Sequence, residues 1–507
     1  MPACARCGQS PEWLVTMFFH SFNFLVFLGA VWVLYQFTPD RWRWLVLLSS
    51  SMGFYALLRG PLLIVALVLV ITVAHIVGRR IAAQEDEANR RGWLWAGIAV
   101  NAIILCSIKY ASAVASVLLP SRVTAATDAG LFLTLGVSYF TLQAVGYLVD
   151  IFLKEIAPED HLGRLALYLS FFPKLLQGPI ERGADLLPQL KVPYECSREN
   201  MRNGALLFAW GLFKKAAVAN RLAPYVAMVY SDVHAYKGVS LILATCIYSI
   251  QIYADFSGYT DMALGAALFF NIKLTQNFHA PYLATSVVEF WRRWHISFSR
   301  WILHYIFEPL QMSWRSWKTY GTVAALLITF LFSGLWHGVS WGFLVWGLLH
   351  GTYLSAFIMW RAWKPRHNVS WLQRHAWLSR CVQVCITFSL ITFAWIFFRA
   401  NTLGDAWYVV THLFSGTAQY SKALVSHLRH LGEHGELLQP ILVGTGKEQF
   451  VLMLLSAAIL LVPTVFKHRL VFYQWPASFR FGVYYLLFLA IALLSVYDDK
   501  GFVYFQF

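Results

Sequence analysis

Charge is scarce in this chain. Asp, Glu, Lys and Arg make up 13% of its 507 residues, 58% are hydrophobic, and the mean hydropathy is +0.56. A soluble domain of that size could not cover its surface with so few polar groups, so a water-soluble enzyme or scaffold is excluded. Acidic residues are rarer still, 25 against 40 Lys and Arg, for a net charge of +15. That excess does not point to nucleic acid, because the positive residues sit in short loops between apolar runs, where the positive-inside bias of membrane proteins puts them. Strand-type alternation is missing, so backbone groups in lipid must be satisfied within helices. The seven cysteines form no framework. Cys4 and Cys7 make one CxxC, a weak zinc signal on its own, while Cys106, Cys246, Cys381 and Cys385 lie in apolar runs as small hydrophobes. No metal site is expected.

Long apolar runs are what the chain has in abundance. A bilayer-spanning helix needs about 20 mostly apolar residues, and on that basis the runs predict an all-α, polytopic integral membrane protein with roughly eleven transmembrane or re-entrant helices. The 22 Trp and 24 Tyr suit the two membrane interfaces. Residues 361–380 carry Arg361, Lys364, Arg366, Arg374 and Arg380 with no acid, whereas residues 401–449 carry Lys422, Arg429 and Lys447 against four acids. The first loop is expected to be cytoplasmic and the second external, joined by the apolar run 381–400. Arg41 and Arg43, the loop from Arg79 to Arg91, and residues 467–480 fit further cytoplasmic turns. Residues 1–16 are polar and read as a disordered extension or a mis-assigned start, while Met17 opens an apolar helix resembling a retained anchor rather than a cleavable signal. Residues 17–507 are expected to form a single membrane domain.

Three polar constellations interrupt the apolar background. In FFPKLLQGPIERGADLLPQL, residues 171–190, Pro173, Pro179 and Pro188 break any continuous helix, and broken backbone at membrane depth is tolerated only against protein or a wet cavity. Lys174, Gln177, Glu181 and Arg182 are therefore candidates to hold a polar substrate or contact phosphate; an interfacial loop is the equal alternative. YADFSGYTDMALG, residues 253–265, places Asp255 and Asp261 between two apolar runs. They are about 600° of helical rotation apart and share no helix face, so paired-acid catalysis is disfavoured and a hydrogen-bonding hub is expected. No His or Cys accompanies them at ligand spacing. EFWRRWHISFSRWILHY, residues 289–305, reads as one amphipathic interfacial helix with Trp291, Trp294, Phe298, Trp301 and Tyr305 on one face and Arg292, Arg293, Ser299 and Arg300 on the other. His295 falls at the edge, a candidate to line a site entrance.

SGLWHG, residues 333–338, sets His337 and its neighbour Trp336 between the apolar runs 321–335 and 339–360. A titratable group at membrane depth is costly and needs a reason. Donating to a carbonyl freed by a helix break is one. The other is acyl transfer from a thioester to a hydroxyl, which needs a neutral base beside the reacting OH. Direct transfer, without a covalent enzyme intermediate, is the simpler scheme. A different class stays open on these residues: a polysaccharide or ion-coupled transporter that uses Asp255, Asp261 and His337 and is built from inverted repeats. Such repeats are not visible in the sequence.

Taken in order, GVSYFTLQAVGYLVD, FFPKLLQGPI, GLFKKAAVAN, YADFSGYTDMALG, NFHAPYLATSVVEFWRRWHISFSRW, SGLWHG, FAWIFFRA and a terminal FVYFQF resemble the membrane-bound O-acyltransferase superfamily. Within it the chain is most similar to the bacterial alginate O-acetyltransferase branch. The likeness runs from Met17 to Phe507 and is densest over residues 131–400. It implies a central funnel across the membrane, with His337 as the essential catalytic residue and His295 as a second site residue. Lys174, Gln177, Arg182, Asp255, Asp261, Arg292 and Trp336 are the candidates to bind substrate or line that funnel. It further implies no bound cofactor, a donor that is acetyl-CoA or another acyl thioester, and a place in the bacterial inner membrane. The expected partners are the lipid bilayer, a periplasmic acetyl-transfer protein and an exopolysaccharide or cell-wall acceptor. A D-alanyl or lipid O-acyltransferase of the same fold is the alternative. LLQGPIER departs from the alginate pattern at Gln177, where many members carry a shorter side chain, and this weakens alginate as the acceptor.

Overall fold

The computed structural model describes residues 17–58, 61–109, 136–338, 340–363, 376–418, 420–421, 435–465 and 476–496. All regular structure among these residues is helical. The extension 1–16 with its Cys4–Cys7 pair, Lys422 and Arg429, the terminal FVYFQF, and much of the basic stretches 361–380 and 467–480 lie outside the described residues. The remaining five cysteines are free thiols.

The chain divides into two compact units. The first comprises Met1–Leu212, Gly258–Gln276 and Asp498–Phe507, and the second Phe213–Ser257 and Asn277–Tyr497. The first unit opens with α1 (Phe22–Phe37), α2 (Asp40–Leu58), α3 (Pro61–Ala83) and α4 (Glu87–Lys109). It continues with α5 (Val137–Phe152), α6 (Leu162–Ser170), the short α7 (Phe172–Leu175) and α8 (Gly183–Leu186), and α9 (Arg198–Leu212). A π-helical turn, Phe213–Ala219, then leads into α10 (Asn220–Ser231) and α11 (Val239–Leu268). The second unit runs on through α12 (Val287–Trp291), α13 (Ile296–Ile302), α14 (Glu308–Ser313), α15 (Lys318–His337), α16 (Trp341–Trp363) and α17 (Ala376–Arg399). It closes with α18 (Leu403–His412), α19 (Gly435–Leu442), α20 (Lys447–Val465) and α21 (Ala477–Leu494).

Six of these helices, α3, α4, α11, α15, α16 and α17, are long and apolar enough to cross a bilayer, and α1, α5 and α21 are shorter apolar helices. Large apolar side chains such as Phe22, Phe37, Trp95 and Ile103 are exposed along them, a surface suited to lipid and costly in water. The chain is a multi-pass membrane protein.

Local sequence explains where the helices stop. Pro173 takes the first turn of α7, where a missing N–H costs nothing, and no helix continues to α8. The region 171–190 is therefore the broken backbone its prolines predict. By contrast, the two apolar runs around Asp255 and Asp261 join into one 30-residue helix, α11, on which Asp255 and Ser257 are met by lysine side chains. Helices α15 and α16 pack backbone to backbone. A Cβ on Gly334 would lie 2.4 Å from the Phe343 carbonyl oxygen, and one on Gly347 would lie 2.3 Å from that of Phe330, so only glycine permits this approach.

The single amphipathic helix expected over residues 289–305 does not form. Helix α12 ends at Trp291, the chain turns, and His295 takes a left-handed conformation, φ 44°, before α13 starts. The competing forces are tertiary. Ile296 N–H donates to the Asn277 carbonyl (3.0 Å), Ser297 N–H to Asn277 Oδ1 (3.0 Å) and His279 N–H to the Arg293 carbonyl (2.9 Å). These bonds hold a backbone region that non-glycine residues seldom occupy. The aromatic face turns inward as a result: Trp291, Trp294, Phe298 and Trp301 are buried in protein.

Candidate active site

Two buried histidines of the second unit share one aromatic pair. His337 is the last residue of α15, and His295 precedes α13. The rings of Phe298 and Trp336 stack at 4.4 Å and touch both imidazoles. His295 lies 5.1 Å from Phe298 and 6.4 Å from Trp336, whereas His337 lies 6.4 Å from Phe298 and 4.9 Å from Trp336. Trp346 and Phe398 close the rest of the His337 surround, edge-on at 5.1 Å and 5.0 Å, and Phe256 meets His295 edge-on at 4.7 Å. Burial among these rings drives the His295 pKa down to about 3, so this imidazole is neutral at physiological pH.

A third histidine belongs to the same cluster, one that motif reading missed. His350 on α16 is fully buried, its Nδ1 accepts a hydrogen bond from Trp291 Nε1 (3.2 Å), and its ring meets Trp346 at 4.9 Å. Since Nδ1 is an acceptor, the neutral ring carries its proton on Nε2. The signal was available: an ionisable residue 13 positions after His337 inside an apolar run meets the same test that singled out His337. Trp346 is also buried, and its Nε1–H has no hydrogen-bond partner among the described residues.

Residues 338–342 spell GVSWG and match the letters of the GxSxG serine-nucleophile pattern. Their setting differs. That motif needs a strand-to-helix turn, whereas Ser340 lies between two helices, its Oγ accepting from Gly342 N–H at 3.3 Å.

Asp255 has a partner that spacing could not reveal. In the π-helical turn after α9, Lys215 Nζ sits 2.7 Å from Asp255 Oδ1, both ends buried, and Lys214 Nζ donates to Ser257 Oγ at 3.1 Å. The wider turn brings two consecutive lysines to α11, and such turns recur at functional sites. Arg292 is exposed, and its neighbour Arg293 is held by Glu289 at 2.5 Å.

The remaining candidates lie in the first unit. Lys174, Gln177 and Glu181 are all buried in the broken segment. Lys174 Nζ donates to Gln143 Oε1 (2.7 Å), and the Glu181 carboxylate accepts from Thr275 N–H (2.5 Å) and its hydroxyl (2.9 Å). Neither side-chain polar atom of Gln177 has a protein partner among the described residues, and a buried amide of that kind is satisfied by water or ligand. Arg182 grips Asp150 through two nitrogens, at 2.7 and 3.3 Å, and also Glu155, so its guanidinium is committed to the fold. Asp261 is buried on α11.

An all-helical membrane protein with buried imidazoles at a glycine-lined helix junction defines a class, and comparison with known proteins names it. Residues 161–398 match the model of the membrane-bound O-acyltransferase family. The chain is 33% identical to a peptidoglycan O-acetyltransferase of Helicobacter pylori over 72% of each chain. It is 31% identical to a probable alginate O-acetylase of Azotobacter vinelandii over 79% of this chain and 78% of that one. A teichoic acid D-alanyltransferase of Bacillus subtilis is 27% identical over 53% of this chain and 69% of its own. The chain belongs to the membrane-bound O-acyltransferase family and is an O-acyltransferase; membership decides for the enzyme over the transporter.

Proposed function

We propose that the chain moves an acetyl group from acetyl-CoA or a similar thioester, across the bacterial inner membrane, to a hydroxyl of an exopolysaccharide or cell-wall glycan. His337 is the general base. It takes the acceptor's hydroxyl proton as the oxygen bonds to the acyl carbon. The carbon–sulfur bond then breaks, and the imidazolium returns the proton to the departing thiolate. His295, packed against the same Phe298–Trp336 pair, orients the reacting groups. The buried Trp346 N–H supplies a hydrogen bond to the oxyanion. Gln177, a buried amide of the first unit, is a candidate to bind substrate, and a periplasmic acetyl-transfer protein is the expected partner. The expected eleven or so spans and re-entrant helices belong to this reading; among the described residues six long and three shorter apolar helices support it.

The observation that carries the reading is the sharing of one stacked aromatic pair by two buried imidazoles. Alginate and peptidoglycan are the acceptors in the names of relatives of similar identity. Deleting the gene and measuring ester-linked acetate on each polymer, with and without complementation, tests acetyl transfer and identifies the acceptor. Unchanged acetate on every envelope glycan would refute it.

A further inference from the structure

A cavity of about 480 Å³ opens in the first unit, and His295, His337 and His350 are not among the residues that line it. Its wall is drawn from the end of α1, the first turn of α2, the start of α6, and the stretches 189–194 and 270–272. Four cations line it, Arg41, Arg43, Arg164 and Lys191. Among the described residues two carboxylates answer them. Asp40 pairs with Arg43, and Glu159 is 2.7 Å from Lys191 and 3.8 Å from Arg164. Arg41 has no carboxylate within ion-pair distance among the described residues, which leaves an excess of two positive charges.

The lining is built rather than loose. The Arg43 guanidinium lies over the rings of Tyr35 and Tyr194, at 5.5 and 5.1 Å, while its Nε and Nη1 donate to the carbonyls of the same two residues at 3.2 and 3.3 Å. Its Nη2 makes no hydrogen bond among the described residues. Trp44 forms another wall and packs so closely on α6 that a Cβ at Gly163 would lie 2.2 Å from its ring. The N-terminal turns of both α2 and α6 border the cavity, and their helix dipoles add partial positive charge there, although the His161 ring caps the Arg164 N–H of α6 at 3.2 Å.

We propose that this cavity binds the phosphate group of an anionic ligand, either a phospholipid headgroup or a soluble phosphate ester. Fixed guanidinium groups match phosphate oxygens with paired hydrogen bonds, and basic pockets between membrane helices hold anionic headgroups. Arg41 and Arg43 fall in one of the turns that the charge bias assigns to the cytoplasm, where both ligand types are found. The site shares no residue with the candidate active site.

The test uses the full-length protein in phosphatidylcholine nanodiscs. One arm adds phosphatidylglycerol, the other inorganic pyrophosphate, and bound probe is counted by native mass spectrometry and thermal shift. Arg41→Gln/Arg164→Gln is compared with Arg79→Gln/Arg91→Gln, a charge-matched pair outside the cavity. Saturable binding of one probe, weakened about tenfold or more only in the first variant, is expected. Phosphatidylglycerol as the preferred probe identifies a headgroup, and pyrophosphate a soluble ester. No saturable binding of either probe, or equal loss in both variants, overturns the proposal.

Discussion

The indole of Trp291 donates its N–H to His350 Nδ1 across 3.2 Å, tying the short helix α12 to α16 beside both candidate catalytic imidazoles. Trp291→Phe keeps the ring and removes the donor, leaving a buried acceptor unmet at a cost of about 1–3 kcal/mol. Replacing His350 by Leu in that background removes the orphan and should recover part of the loss. Thermal unfolding in detergent measures the cycle; strictly additive single effects would mean the hydrogen bond contributes nothing.

The Lys215–Asp255 pair is buried at both ends. Lys215→Met strands a carboxylate in the protein interior and is expected to cost about 3–5 kcal/mol, read as reduced accumulation in membranes. The double variant Lys215→Met/Asp255→Leu carries no stranded charge and should accumulate better than either single change. Equal accumulation of all three variants and wild type would show that the pair is solvated.

His295 predicts an acid limb in stability. The unfolded chain takes up a proton below the ordinary imidazole value of 6.5, but the folded chain does so only near 3. Stability is therefore full above pH 6.5 and falls as pH drops toward 3, by up to about 1.4 kcal/mol per pH unit for this one proton. His295→Gln should flatten that limb. An unchanged pH profile of the unfolding midpoint would contradict the burial of this ring.

Trp346→Phe preserves the edge-on contact with His337 and deletes one N–H. If that N–H meets the oxyanion, kcat falls by about 100-fold or more with KM little changed. An unaltered kcat removes Trp346 from the chemistry.

Much of this molecule was legible in the sequence because lipid imposes a strong rule: long apolar runs must be helices. The breaks at Pro173 and Pro179 were readable for the same reason, since proline removes a donor wherever it stands. The helix break before His295 was not. It depends on Asn277, a residue 18 positions earlier, whose backbone and side chain capture Ile296 and Ser297. Asp255 likewise gains its partner through a π-helical turn, whose Ala216 carbonyl accepts from the distant Val496 N–H at 2.9 Å, a contact with no local signal in GLFKKAAVAN. His350 shows the opposite case, a residue visible to the rule that found His337 but without a motif to draw the eye.

The central claim is that His337 is the base for acyl transfer. Complementing a deletion strain with His337→Ala and quantifying ester-linked acetate on its envelope glycans, alongside the amount of protein in the membrane fraction, tests it most directly. The account predicts acetate at the deletion level with the protein present at wild-type abundance. Acetate restored to the wild-type level by this variant would contradict it.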